Sequence, residues 1–152
     1  MLTEHSHPVR TVHFTAPGTV YADQLLVGSD DRSVTLHDVK DVGETRTCTT
    51  IASLQGQEGW ILDVESSGDG RIVATAASDH QVFLWDLAQT PKMCVAVVSD
   101  KKPIWAISWK RDVNENGELP STRLLIPGSA FVSGGDDGVI HWYRNAGAAS
   151  SS

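Results

Sequence analysis

The chain has 152 residues and a formal net charge of −7, from 12 Lys and Arg against 19 Asp and Glu. That balance argues against direct binding to nucleic acid or to an anionic membrane surface, since Lys101-Lys102 and Lys110-Arg111 are the densest basic stretches and are only pairs. Cys48 and Cys94 fit no metal spacing and no disulfide framework, no apolar run is long enough to span a membrane, and Met1-Leu2-Thr3-Glu4-His5 has no signal-peptide layout, so a reducing cytoplasmic or nuclear location is expected.

In chain order, the polar corner His5-Ser6-His7-Pro8 leads into a predicted strand over Val9–Phe14, where Pro8 at the entry loses no ladder hydrogen bond. After the Ala16-Pro17-Gly18 turn come a hairpin from Leu25 to Asp38, a polar connection from Val39 to Arg46, and a strand over Thr49–Leu54. The second unit repeats this order with Trp60–Val64, the Ser66–Gly70 turn, a hairpin of Ile72–Ala76 and Val82–Trp85 about Ser78-Asp79-His80, and then Met93–Val98. The third has Ile104–Trp109, a polar interruption from Lys110 to about Thr122, a short Leu124–Ile126 segment and a final hairpin from Phe131 to Tyr143. The interruption is expected to be the most mobile internal segment, and residues 146–152 a disordered tail.

The three hairpins are copies of one unit. In each, a turn Asp (Asp31, Asp79, Asp137) stands six residues before a planar ring (His37, Trp85, Tyr143), and successive rings are 48 and 58 residues apart. Four-strand units with a polar corner before the first strand and a Trp85-Asp86 ending resemble the WD repeats of a β-propeller. The resemblance runs from His5 to Tyr143 and implies an all-β fold of three four-stranded antiparallel blades, about 5–54, 57–98 and 100–144, the last lacking its outer strand. It also implies that a corner His, a second-strand hydroxyl, the turn Asp and the ring pin each blade by hydrogen bonds. The corner positions here hold His5, Gln57 and Asp100, and the hydroxyl positions hold Val27, Thr75 and Ser133. No set is complete, so packing is expected to hold each blade more than this network, with Trp85 reaching toward Asp79.

Three blades cannot close a ring, and the resemblance implies the last three of seven, or else two chains self-associating to complete one. The strings His5-Ser6-His7-Pro8-Val9-Arg10-Thr11-Val12, Gly59-Trp60-Ile61-Leu62-Asp63-Val64, Ile104-Trp105-Ala106-Ile107 and Ile140-His141-Trp142-Tyr143-Arg144-Asn145-Ala146-Gly147 are, in that order, similar to the WD-repeat subunits of superkiller (Ski) complexes. That likeness implies a non-catalytic scaffold beside a tetratricopeptide scaffold and a helicase in 3′ to 5′ mRNA decay. Family roles in meiotic recombination and transcription elongation are implied with it. The alternatives are a WD adaptor of a ubiquitin ligase or trafficking assembly, and a propeller enzyme whose site lies in other blades.

Positions that WD propellers expose on the narrow face fall on Pro8, Arg10 and Asp30, on Trp60, Leu62 and Ser78, and on Pro103, Trp105 and Asp136. Two Trp and a Leu beside an Arg have the composition of a protein-binding hot spot, because large rigid side chains bury much area at little entropic cost. The competing reading is that one Trp packs between blades. Acid-rich turns such as Ser29-Asp30-Asp31 and Gly135-Asp136-Asp137-Gly138 are read as hairpin geometry rather than metal loops. Ser6 between His5 and His7 lacks the elbow and oxyanion loop of nucleophilic chemistry, and Ser66-Ser67-Gly68-Asp69-Gly70 lacks the Lys of a phosphate loop, so no catalytic residue, metal or cofactor is expected.

Overall fold

The computed structural model describes residues 3–17, 19–110 and 130–144. Among these the regular structure is entirely β. The first sheet has the order β1 (Val9–Phe14), β2 (Gln24–Ser29), β3 (Val34–Val42), β4 (Thr45–Leu54). The second has β5 (Ile61–Ser66), β6 (Ile72–Ala77), β7 (Gln81–Asp86), β8 (Met93–Ser99), also in chain order. The third has β9 (Ile104–Trp109), β10 (Ala130–Gly135) and β11 (Ile140–Arg144), with three strands among the described residues. All neighbouring strands are antiparallel. The expected interruption beyond Lys110, the Leu124–Ile126 segment and the tail lie outside the described residues.

Each sheet is a blade, and the three stack through the alternation of their strands. Leu26, Leu36 and Leu54 of the first blade meet Ile61, Val64, Val73 and Trp85 of the second in one core. Ala74, Val82 and Leu84, on the opposite face of the second blade, meet Ile104, Ile107, Trp109 and Phe131 of the third in another. Burying a Leu, Ile or Val side chain is worth roughly 1.5–3 kcal/mol, so these two seams dominate the cohesion of the stack. The middle blade is covered on both sides, and every residue of β6 is buried. Among the described residues, the end blades are covered on one side only. Thr11 and His13 face the second blade, which leaves Val12 and Phe14 on the open side at 65% and 58% exposure. Tyr143 packs inward against Phe131, so alternation leaves Ile140 and Trp142 outward at 68% and 67%.

A half-buried carboxylate ties all three blades. Asp63 on β5 accepts the Thr11 hydroxyl at 3.5 Å from the first blade and the Ile107 N–H at 2.8 Å from the third. Burial pushes its carboxyl above the usual range, against the pull of the Ile107, Val64 and Thr11 donors.

The expected polar connection from Val39 to Arg46 is instead a continuation of the ladder. Val39 pairs with Cys48 and Val42 with Thr45, and Arg46 clasps Asp41 across the strands. The two-residue loop Gly43-Glu44 closes the hairpin, with Gly43 at φ 64°, a left-handed angle that glycine adopts without a Cβ clash. Cross-strand pairing of Thr, Val and opposite charges offsets the polarity that suggested a loop.

Candidate functional site

The narrow rim is built where each blade's corner meets its β-hairpin turn. In all three blades the third turn residue adopts a left-handed backbone: Arg32 and His80 at φ 70° and Gly138 at φ 72°. This bend turns the preceding Asp back toward the corner. Asp31 accepts from His5 Nδ1 at 2.8 Å and from the Ser6 N–H, and Asp79 accepts the N–H groups of Glu58 and Gly59 at 2.8 and 3.3 Å. A Cβ on Gly59 would stand 2.3 Å from the Asp79 nitrogen, so only glycine admits this approach. Corner and turn geometry thus accounts for the inward set of Asp31 and Asp79.

Behind the turns lie the pinning networks, and two of them are more complete than the aligned positions indicate. In the first blade the hydroxyl comes from Thr35 on β3, directly across the ladder from Val27. His5 Nε2 lies 2.9 Å from Thr35 Oγ1, which lies 2.8 Å from His37 Nε2, and His37 Nδ1 lies 3.2 Å from Thr50 Oγ1. With both imidazoles neutral, each link of Asp31–His5–Thr35–His37–Thr50 has one donor and one acceptor. Burial lowers the pKa of His37 and favours that state. Burial raises the Asp31 carboxyl, but bonds from Ser33, His5 and Ser6 outweigh it and hold it below the usual range. In the second blade Gln57 stands in for the corner His. It accepts the Thr75 hydroxyl at 2.6 Å through Oε1 and donates through Nε2 to the carbonyls of Thr75 and Gln81. Trp85 Nε1 donates to Thr75 Oγ1 at 3.0 Å, so the ring reaches the hydroxyl and not Asp79. Asp86, after the ring, holds Arg71 in a two-bond fork at 2.9 and 2.7 Å.

The third blade departs furthest. Its Ser133 hydroxyl donates to the Tyr143 oxygen at 3.4 Å, a weak contact. The imidazole missing from the corner is supplied by His141 on β11, whose Nε2 lies 2.7 Å from Asp137 and 3.2 Å from Asp100. Alignment by strand starts could not show His141, because its register partner is Ser133 and its role is usually filled from the corner.

On the rim, the residues singled out from the sequence fall into two groups. Arg10 forks onto Asp30, and its guanidinium carbon sits 5.3 Å from the centroid of the Trp60 ring, a cation–π contact across the first seam. Ser78 Oγ accepts the Trp60 N–H at 2.9 Å. On the third blade, the Trp105 indole N–H donates to Asp136. Leu62 is half-buried at the irregularity between Ile61 and Asp63. Trp60 and Trp105 are 54% and 52% exposed, so neither ring is consumed by packing between blades. Beside Trp60, a cavity of about 470 Å³ opens between the first two corners, with Ser6, His7, Arg32 and Glu58 in its wall.

Stacked antiparallel blades joined corner to turn define a β-propeller repeat protein. The chain belongs to the family "WD domain, G-beta repeat", whose model matches residues 1–38 and 48–86. It is 30% identical over 132 residues to a bromodomain and WD repeat-containing protein of Dictyostelium discoideum, covering 84% of this chain and 5% of that protein. It is 35% identical over 91 residues to the nuclear distribution protein PAC1 of Arthroderma otae, 57% of this chain and 18% of the relative. It is 40% identical over 81 residues to protein Rae1 of Drosophila melanogaster, 53% of this chain and 22% of the relative. The chain thus spans a small part of each relative.

Proposed function

We propose that the chain is part of a non-catalytic WD-repeat scaffold that docks short segments of partner proteins on its narrow rim, through Arg10, Asp30, Trp60, Leu62, Ser78, Trp105 and Asp136. The observation that carries this reading is the half-exposure of Trp60 and Trp105 at the rim ends of adjacent inner strands. Each is tied by polar neighbours rather than packed away. Rings held in place yet open to solvent lose little entropy on binding, the property of an interface anchor. The complete protein is a larger ring of seven blades in this reading, with the open sides of the two end blades covered by blades outside this chain. The order of these strings along the chain supports a role as the WD subunit of a superkiller complex, with a tetratricopeptide scaffold and a helicase as partners in mRNA decay. The relatives reported above carry other names, and this finer assignment rests on that order alone. Affinity purification of the tagged full-length protein tests it. Recovery of a tetratricopeptide protein together with a helicase, lost on Trp60→Ala with Trp105→Ala, is the expected result. Recovery of ubiquitin-ligase or trafficking subunits would replace the superkiller role with that of a different WD adaptor.

A further inference from the structure

His141 clamps the turn on which the Trp105 contact is built. Its Nε2 faces Asp137 in the β10–β11 turn at 2.7 Å and Asp100 in the corner before β9 at 3.2 Å. Asp136, the neighbour of Asp137, accepts the Trp105 indole N–H, while its own N–H bonds the carbonyl of Pro103, two residues before Trp105. The clamp and the docking ring therefore share one short loop.

Nε2 carries at most one hydrogen, so a neutral imidazole can satisfy one carboxylate and leaves the other beside it with a like charge. The imidazolium offers the same hydrogen and a positive charge that attracts both. We propose, building on the docking role of Trp105, that protonation of His141 regulates the third-blade end of the rim, holding the 135–138 turn and the Trp105 anchor firm in mild acid and releasing them as the ring is neutralised. Ser133 is the register partner of His141 on β10, and Tyr143 follows two residues along the same face with its hydroxyl taken by Ser133. Lys101 and Lys102 follow Asp100 on the corner, and the carbonyl of His80 from the second blade accepts the Asp100 N–H. Within this setting the bond to Asp137, with the charges of Asp100 and Asp137, raises the imidazole pKa above its ordinary value, and the same bond lowers Asp137. A His whose folded pKa is raised contributes fully below the unfolded value of about 6.5, and the contribution is lost as pH rises through the folded value. His37 in the first blade is shifted the other way, so a global melting curve mixes the two and a residue-specific readout is required.

The test follows the indole N–H resonances of the full-length protein, without partner, from about pH 5.5 to 8.5, a window around the ordinary imidazole value. Trp105→Phe assigns the relevant signal. The Trp105 resonance is expected to titrate with the same midpoint as the His141 ring, and Asp100→Asn to lower that midpoint by about half a unit or more. His141→Gln is expected to remove the titration from Trp105 while the Trp60 signal stays flat in every variant. A Trp105 resonance that does not respond to pH, or responds equally in His141→Gln, overturns the proposal. Because no partner is present, a rim that captured nothing would sink the docking reading and leave this result intact.

Discussion

Replacing Thr75 with Val keeps the β-branch and the volume but removes the hydroxyl on which the polar set of the middle blade turns. Thr75 is fully buried, donates to Gln57 Oε1 at 2.6 Å and accepts from Trp85 Nε1 at 3.0 Å. The substitution therefore strands an amide oxygen and an indole N–H among buried residues of the middle blade. Each stranded group costs about 1–3 kcal/mol, and with some relaxation around Gln57 a net loss of about 2–4 kcal/mol follows. For a chain of this size that is roughly 5–15 °C in melting temperature. Thr75→Ser keeps the hydroxyl and gives up one methyl, about 1 kcal/mol, so Val must be the worse substitution although it is the more hydrophobic. Urea unfolding followed by Trp fluorescence measures both, with an unchanged slope showing that stability alone has moved. Adding Gln57→Leu to Thr75→Val should recover part of the loss, since one stranded partner is then gone. Equal stability of the Val and Ser variants would refute the view that this network pins the blade.

Three further outcomes are expected. The Arg71 guanidinium holds the Asp86 carboxyl below the usual range, so this pair contributes above the unfolded value of about 3.9 and is lost as pH falls through the lower folded value; urea midpoints between about pH 5 and 2.5 should fall less steeply in Arg71→Met. His37, with its pKa lowered by burial, contributes fully above about pH 6.5 and loses that contribution on acidification, so His37→Phe should flatten the decline in urea midpoint from about pH 7 to 5.5. The isolated chain should sediment as aggregates or a defined dimer, because Val12, Phe14, Ile140 and Trp142 lie open on its two end blades. Phe14→Ser with Trp142→Ser should reduce the association, and a sharply melting wild-type monomer at low micromolar concentration would contradict it.

The blades were legible because their signals are local: period-two alternation, a turn Asp, and a ring six residues on. What the sequence hid depends on pairing across strands. Val27 occupies the expected hydroxyl position, and its replacement sits opposite as Thr35, visible only once the register is known. Gln57 reads as a lost corner His, yet an amide carries both a donor and an acceptor and completes the set with Thr75. His141 reads as one more strand residue until the corner brings Asp100 to it. The extension Val39–Arg46 is polar because it is paired at a sheet edge, where composition alone does not separate strand from loop. On the rim, spacing picked out Arg10, Asp30 and Trp60 separately, but the contact of the Arg10 guanidinium with the Trp60 indole forms only when two blades meet.

The docking rim is tested most directly by comparing Trp60→Ala, Trp105→Ala and Trp85→Ala in the full-length protein, with melting temperature and affinity for a captured partner measured on each. Trp85 is 4% exposed, and its truncation should cost about 3–5 kcal/mol of stability. Trp60 and Trp105 are half-exposed, and their truncation should leave the melting temperature near wild type while weakening binding by about 2 kcal/mol or more, roughly thirtyfold. If both rim variants melted as early as Trp85→Ala and kept full affinity per folded molecule, the rim would be a structural seam and not a docking face.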